Sequence, residues 1–200
     1  MAKERLKSPR ARLFVALDLP DRVRAGIVEW GRDALADPAL RPVKAESLHI
    51  TLAFLGYLPE KEIPRLAEIV EASQAPAPSI EFGDPAPRPE RGRPRLFALP
   101  AESPGTIALQ WAIEQKLVAA GLFEPEKRPF WPHVTVARVR REERGSKRPA
   151  SVGKRPGQLP KDLSQLFRAV RIVLYRSQIQ PQGAHYTPLA QVELPADGRQ

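Results

Sequence analysis

The chain contains three histidines and four threonines, and each histidine is followed two positions later by a threonine: His49/Thr51, His133/Thr135 and His185/Thr187. On a β-strand, residues i and i+2 project from the same face, so each pair would set an imidazole beside a hydroxyl, roughly 6 to 7 Å along the chain. An imidazole exchanges a proton near neutral pH, and a hydroxyl donates to an anionic oxygen. The flanking residues divide the three pairs. His49 lies in Ser-Leu-His-Ile-Thr-Leu-Ala-Phe-Leu and His133 in Trp-Pro-His-Val-Thr-Val-Ala-Arg-Val, both reading His-apolar-Thr-apolar-Ala. Leu48, Ile50 and Leu52, like Val134 and Val136, are expected to face the opposite way, into a core. His185 precedes Tyr-Thr-Pro188, and the proline disfavours an interior strand position, so this pair reads as a coincidence near a turn. Either longer motif alone would fit an ordinary histidine on a half-buried sheet. Two copies, 84 residues apart, point further. If their strands face one cleft, two imidazoles and two hydroxyls converge on one anion. One ring can then act as base and the other as acid, the minimum for a displacement at phosphorus without a metal.

Elements able to hold such strands are visible in the apolar periodicity, which alternates between two and about 3.6 residues. Leu13, Val15, Leu17 and Leu19 predict a strand over 12–19, and Pro20 can open a helix with Val23, Ile27, Trp30 and Ala34 on one stripe. A strand is predicted over 47–55, then a helix near 60–73 with Ile63, Leu66, Ala67 and Val70 inward, and shorter strands over 79–83 and 95–99. Ser103-Pro104 is a favourable cap and first-turn pair for a helix ending at Gly121, with Leu109, Ile113, Leu117 and Ala120 buried. Strands are predicted over 132–139, 169–176 and 186–194. Each half thus offers strands, a helix and one histidine motif, which predicts an α+β protein of two similar lobes. Of twenty-three prolines, seven cluster at 76–100, read as the divide between the halves, and three at 149–160, beside a basic tract read as a mobile loop over 141–159.

Two hundred residues suffice for one domain with a real core, expected to be a monomer with flexible ends at 1–10 and 196–200. The absence of cysteine excludes disulfides, thiolate nucleophiles and Cys-based metal sites. No apolar run is long enough for a membrane span, and the first ten residues lack the apolar stretch of a secretory signal, so a cytoplasmic protein is expected. The net charge of +9 is unevenly placed: residues 1–12 carry +4, 88–95 carry +3 and 138–155 carry +6, leaving −4 on the other 162. A slightly acidic body with basic segments suits a polyanionic partner, because Lys and Arg release counterions from phosphates and steer encounter.

The sequence resembles the two-histidine (2H) phosphoesterases, specifically the RNA 2',3'-cyclic phosphodiesterase branch also called 2'-5' RNA ligase or LigT-like. The resemblance rests on Arg-Leu-Phe-Val-Ala-Leu-Asp-Leu-Pro at 12–20, Ser-Leu-His-Ile-Thr-Leu-Ala-Phe-Leu-Gly at 47–56, Pro-His-Val-Thr-Val-Ala-Arg at 132–138 and Leu-Tyr-Arg-Ser at 174–177. It implies two lobes of antiparallel sheet with outer helices, meeting at a central cleft, and a substrate that composition cannot supply, an RNA end bearing a cyclic phosphate or a cyclic nucleotide. It also implies no metal and no cofactor. Carried over by position, His49 and His133 become the acid/base pair, Thr51 and Thr135 phosphate donors, Arg138 a further phosphate contact and Phe14 an aromatic stacking near the base. Strict alternation would put Arg138 opposite His133, so its role needs a bend, a bulge or a strand end. The resemblance leaves open 2'-5' ligation, hydrolysis of a cyclic nucleotide or ADP-ribose cyclic phosphate, and binding of RNA ends without turnover. Two intact motifs argue against the last.

Overall fold

In the first strand, β1 (Arg10–Asp18), Leu13, Val15 and Leu17 are wholly buried in the main core. Phe14 and Ala16, on its other face, join Val173 and Tyr175 in a second, small apolar cluster. This strand is therefore buried on both sides and forms the centre of a lobe. The computed structural model describes residues 8–180 and 183–195, so the predicted flexible ends fall mostly outside the described residues. Helix α1 (Asp21–Ala34) follows Pro20, whose carbonyl takes the first-turn amides of Val23 and Arg24. After β2 (Leu40–Pro42) and a 3-10 turn at Ala45–Ser47 comes β3 (His49–Pro59), then α2 (Ile63–Glu71), which buries Leu66 and Val70. Three strands, β4 (Ser79–Phe82), β5 (Ala86–Arg88) and β6 (Leu96–Glu102), lead to α3 (Pro104–Ala119). Ser103 caps α3 by accepting the Thr106 amide, and Gly121, at φ +69°, ends it with the Leu122 amide returned to the Leu117 carbonyl. The chain closes with β7 (His133–Val139), β8 (Phe167–Arg168), β9 (Arg171–Gln180) and β10 (Gly183–Glu193).

The strands form one antiparallel array in the order β10-β9-β1-β3-β7-β6-β4-β8, with β2 added to β7 and β5 to β6. The α+β architecture of antiparallel sheet and outer helices is the one expected, and both long histidine motifs occupy strands. The lobes, however, are not successive halves of the chain. β1 takes β3 on one side and β9 on the other, so the C-terminal β9 and β10 complete the first lobe, while β2 crosses to the second. The proline-rich stretch does not divide them either: it holds β4, β5 and the start of β6. β2, β5 and β8 are too short to leave a periodicity.

The basic tract after β7 has its own attachments. Arg141 bridges Pro149, the Lys154 amide donates to Asp37, Trp30 donates its indole N–H to the Gln158 carbonyl, and Leu159 is buried with its amide on Asp84.

Candidate active site

The two lobes meet where β3 and β7 pair, and their register contains a single pair, Ile50 with Val134. Both side chains are fully buried, so the residues on either side of each emerge together on the opposite face. Antiparallel counting from that pair sets His49 across from Thr135 and His133 across from Thr51. Beyond it the strands diverge, and β2 takes up the same edge of β7 further along, with β6 on the opposite edge. The gap between them is the floor of a cleft of about 230 Å³ lined by His49, Thr51, His133 and Thr135. All four are half-buried.

Each strand then breaks its alternation at the same place. β3 skips Leu52 in its register with β1, and β7 skips Val136 in its register with β6. The successive residues Leu52 and Ala53, like Val136 and Ala137, are consequently all buried. These are bulges, and they turn the next residue onto the histidine face. That residue is Phe54 in β3 and Arg138 in β7, and both line the cleft. The apolar-Ala step of the shared motif, which needs a small second residue to enter the core beside the first, supplies the bend that Arg138 requires.

The rings are held in parallel ways. The Nδ1 of His133 lies 2.8 Å from the Trp131 carbonyl, and His49 is hydrogen-bonded to the Ser47 carbonyl, each two residues upstream. Donation through that nitrogen leaves the other free to accept a proton from the cleft. The aromatic packing differs. His49 stacks on Phe14 at 4.9 Å and meets the edge of Tyr186 at 5.3 Å, with Tyr175 behind them. His133 stacks on Trp131 at 4.2 Å, and the Arg88 guanidinium lies 3.6 Å from the centre of the indole ring. Burial pushes the His49 imidazole down to about 4, with His133 and Arg138 adding to the fall and the Ser47 hydrogen bond opposing it. Burial also lowers His133, opposed by the Trp131 hydrogen bond and reinforced by Arg88 and Arg138. Behind the first ring, Asp18 is 2% exposed and accepts from Tyr175 at 3.0 Å and Arg171 at 2.9 Å. Burial and that carboxylate raise the Tyr175 phenol well above its usual range.

Phe14, the aromatic that the resemblance implies near the base, lines the cleft. It is 3% exposed and ringed by His49, Tyr175 and Tyr186, so most of its surface is turned to these rings. Phe54, 41% exposed under the Arg12 guanidinium, is a more accessible aromatic of the same cleft lining. His185 stands near the start of β10, an edge strand as Pro188 suggests, and it too reaches the cleft wall, although it is exposed. Sequence reasoning passed over Trp131, Arg88, Arg41 and Tyr186. Trp131 carried a signal, since it precedes His133 by the interval at which Ser47 precedes His49.

A family model described as the 2'-5' RNA ligase superfamily matches residues 19–177, a span that includes both histidine strands. The chain belongs to this superfamily. A Thermus thermophilus relative named RNA 2',3'-cyclic phosphodiesterase is 32% identical over 196 residues, covering 92% of this chain and 90% of the relative. An Escherichia coli protein of the same name is 33% identical over 129 residues, 64% of this chain and 71% of its own. A crystal structure from Thermus thermophilus matches with a TM-score of 0.77 at 27% identity, covering 94% of this chain and 100% of that one. E. coli LigT complexed with 3'-AMP matches with a TM-score of 0.74 at 27% identity, covering 93% and 99%. Phe14 and His185 lie outside the span matched by the superfamily model, whereas Arg88, Trp131 and Arg138 lie within it. Among the described residues, no helix is long and apolar enough to cross a membrane.

Proposed function

We propose that this member of the 2'-5' RNA ligase superfamily is an RNA 2',3'-cyclic phosphodiesterase that opens the terminal ring to a 2'-phosphomonoester. The observation that carries the reading is the Ile50–Val134 pairing, which sets an imidazole and a hydroxyl of each strand on one cleft face. Water attacks phosphorus as one imidazole takes its proton, and the bond from phosphorus to the 3'-oxygen breaks as the other imidazole protonates that oxygen. By analogy with the family, His133 is the base and His49 the acid. Burial lowers the proton affinity of both rings, and an anionic phosphodiester between them opposes it by favouring the protonated form of either. Thr51, Thr135 and Arg138 donate to the non-bridging oxygens, whose charge grows in the transition state. The relatives' names and the nucleotide in the LigT complex support this substrate class.

The test is product analysis of an oligonucleotide ending in a 2',3'-cyclic phosphate, incubated with purified protein and EDTA. Recovery of a 2'-phosphate end is the expected result. Tight binding without turnover would replace the enzyme with an RNA-end binding protein.

A further inference from the structure

One row of the second lobe carries more positive charge than the reacting phosphate needs. Arg41 on β2 pairs with Arg138 on β7, Arg138 with Leu96 on β6, and Leu96 with Arg88 on β5. Cross-strand partners share a sheet face, so the row runs across the cleft side. Arg41 and Arg138 are exposed, sit directly opposite one another and both line the cleft. Like charges so placed repel unless an anion lies between them. The carboxylates of the region are engaged elsewhere: Glu46 with Lys44, Glu90 with Arg88, Glu142 with Arg93 and Arg148, and Asp37 with the amides of Ala39 and Lys154. Among the described residues, neither Arg41 nor Arg138 joins an ion pair.

The row also stands at a telling distance. Arg138 follows Thr135 by three residues, of which the bulge absorbs one, leaving one strand period, roughly 7 Å. That is the scale on which successive phosphates of an RNA strand are separated. Resting on the function proposed above, we propose that Arg41 and Arg138 form a second phosphate site. It holds the phosphate on the 5' side of the terminal nucleotide and makes Arg41 a determinant of preference for 5'-phosphorylated and oligomeric substrates. Arg138, between the two positions, serves both phosphates. Planar guanidiniums suit this task because each can present two parallel donors to one phosphate.

The experiment compares wild type, Arg41→Gln and Arg41→Lys on a nucleoside 2',3'-cyclic phosphate, the same compound bearing a 5'-phosphate, and a dinucleotide with a cyclic end. The readout is the ratio of kcat/KM with and without the 5'-phosphate, which a general loss of folding does not move. Wild type should prefer the phosphorylated substrates by about tenfold or more, in line with a charge-assisted contact. Arg41→Gln should remove most of that preference, and Arg41→Lys should keep part of it. A ratio unchanged in Arg41→Gln overturns the second site. Binding of a nucleoside 3',5'-bisphosphate against a nucleoside 3'-phosphate is measured in parallel, because it reads the second site without turnover. If wild type fails to hydrolyse but discriminates the bisphosphate through Arg41, the enzyme assignment falls and the second site stands; hydrolysis without discrimination gives the reverse.

Discussion

The two histidine strands carry nearly the same sequence and the same bulge, yet their rings sit in unlike surroundings. His49 leans into a wall of three aromatic rings, behind which the buried Asp18 carboxylate is paired with the Arg171 guanidinium and accepts the Tyr175 hydroxyl. His133 rests on the Trp131 indole, over which the Arg88 guanidinium lies. Orientation is therefore written into the motif, through the carbonyl two residues back. Burial is the first cause lowering the proton affinity of both rings; at His133 the Arg88 cation adds to it. The proposed reaction needs one ring protonated and the other not. Because burial disfavours the charged form of His49, its service as the acid depends on the bound anionic phosphodiester favouring its proton.

The harshest way to break the comparison is to remove each ring. His49→Ala and His133→Ala should each lower kcat by about 10²- to 10⁴-fold, the usual worth of a proton-transfer group. His185→Ala, which removes an exposed ring on the cleft wall, should cost less than about threefold on this reading. Steady-state rates on a short cyclic-ended oligonucleotide decide it. A His185 loss equal to the others would mean that the third pair takes part in the reaction.

Replacing the supports should separate the lobes. Trp131→Leu frees the His133 ring from its stack and should lower kcat by roughly tenfold, since small misplacements of a reacting group are costly. Trp131 is only half-buried, so the melting temperature should fall little. Phe14→Leu removes a ring from a closed cluster and should cost about 1 to 3 kcal/mol of stability in addition to activity. Thermal denaturation beside kcat gives both readings. If Phe14→Leu lowered KM-dependent rates alone, with unchanged kcat and stability, the residue would be contacting substrate as the family resemblance implies.

Much of this could be read from residues alone. Leu48, Ile50 and Val134 announce their buried face by alternation, and so place His49 and His133 on the other. Arg138 posed a problem that alternation cannot solve, because a bulge lies in the pairing between strands and not in the period of one. The interleaving of the lobes was hidden for the same reason: nothing in 171–193 says that β9 returns to β1. Arg41 was invisible because its meaning comes from its partner across β2 and β7, a strand of three residues with no pattern of its own.

The smallest expected effect tests the asymmetry most directly. Both imidazoles are pushed below their ordinary value of 6.5 in the free protein, and the productive form of the pair carries one proton. The optimum of kcat/KM, which reports the free enzyme, should accordingly lie below pH 6.5. It should fall on the alkaline side as the singly protonated pair loses its proton. Arg88 is one of the cations that lower His133 and does not figure among those acting on His49. Arg88→Gln should thus raise the proton affinity of His133 and carry the alkaline limb to higher pH. The limb belonging to His49, held near 4 chiefly by burial, should stay. Arg88→Lys, which keeps the charge, should leave the profile close to wild type if the lysine still reaches the indole. Added salt should shrink the difference between wild type and Arg88→Gln, because part of the effect crosses solvent. Movement of both limbs together would show that the rings titrate as one coupled unit, and a separate action of Arg88 on His133 would have to be given up.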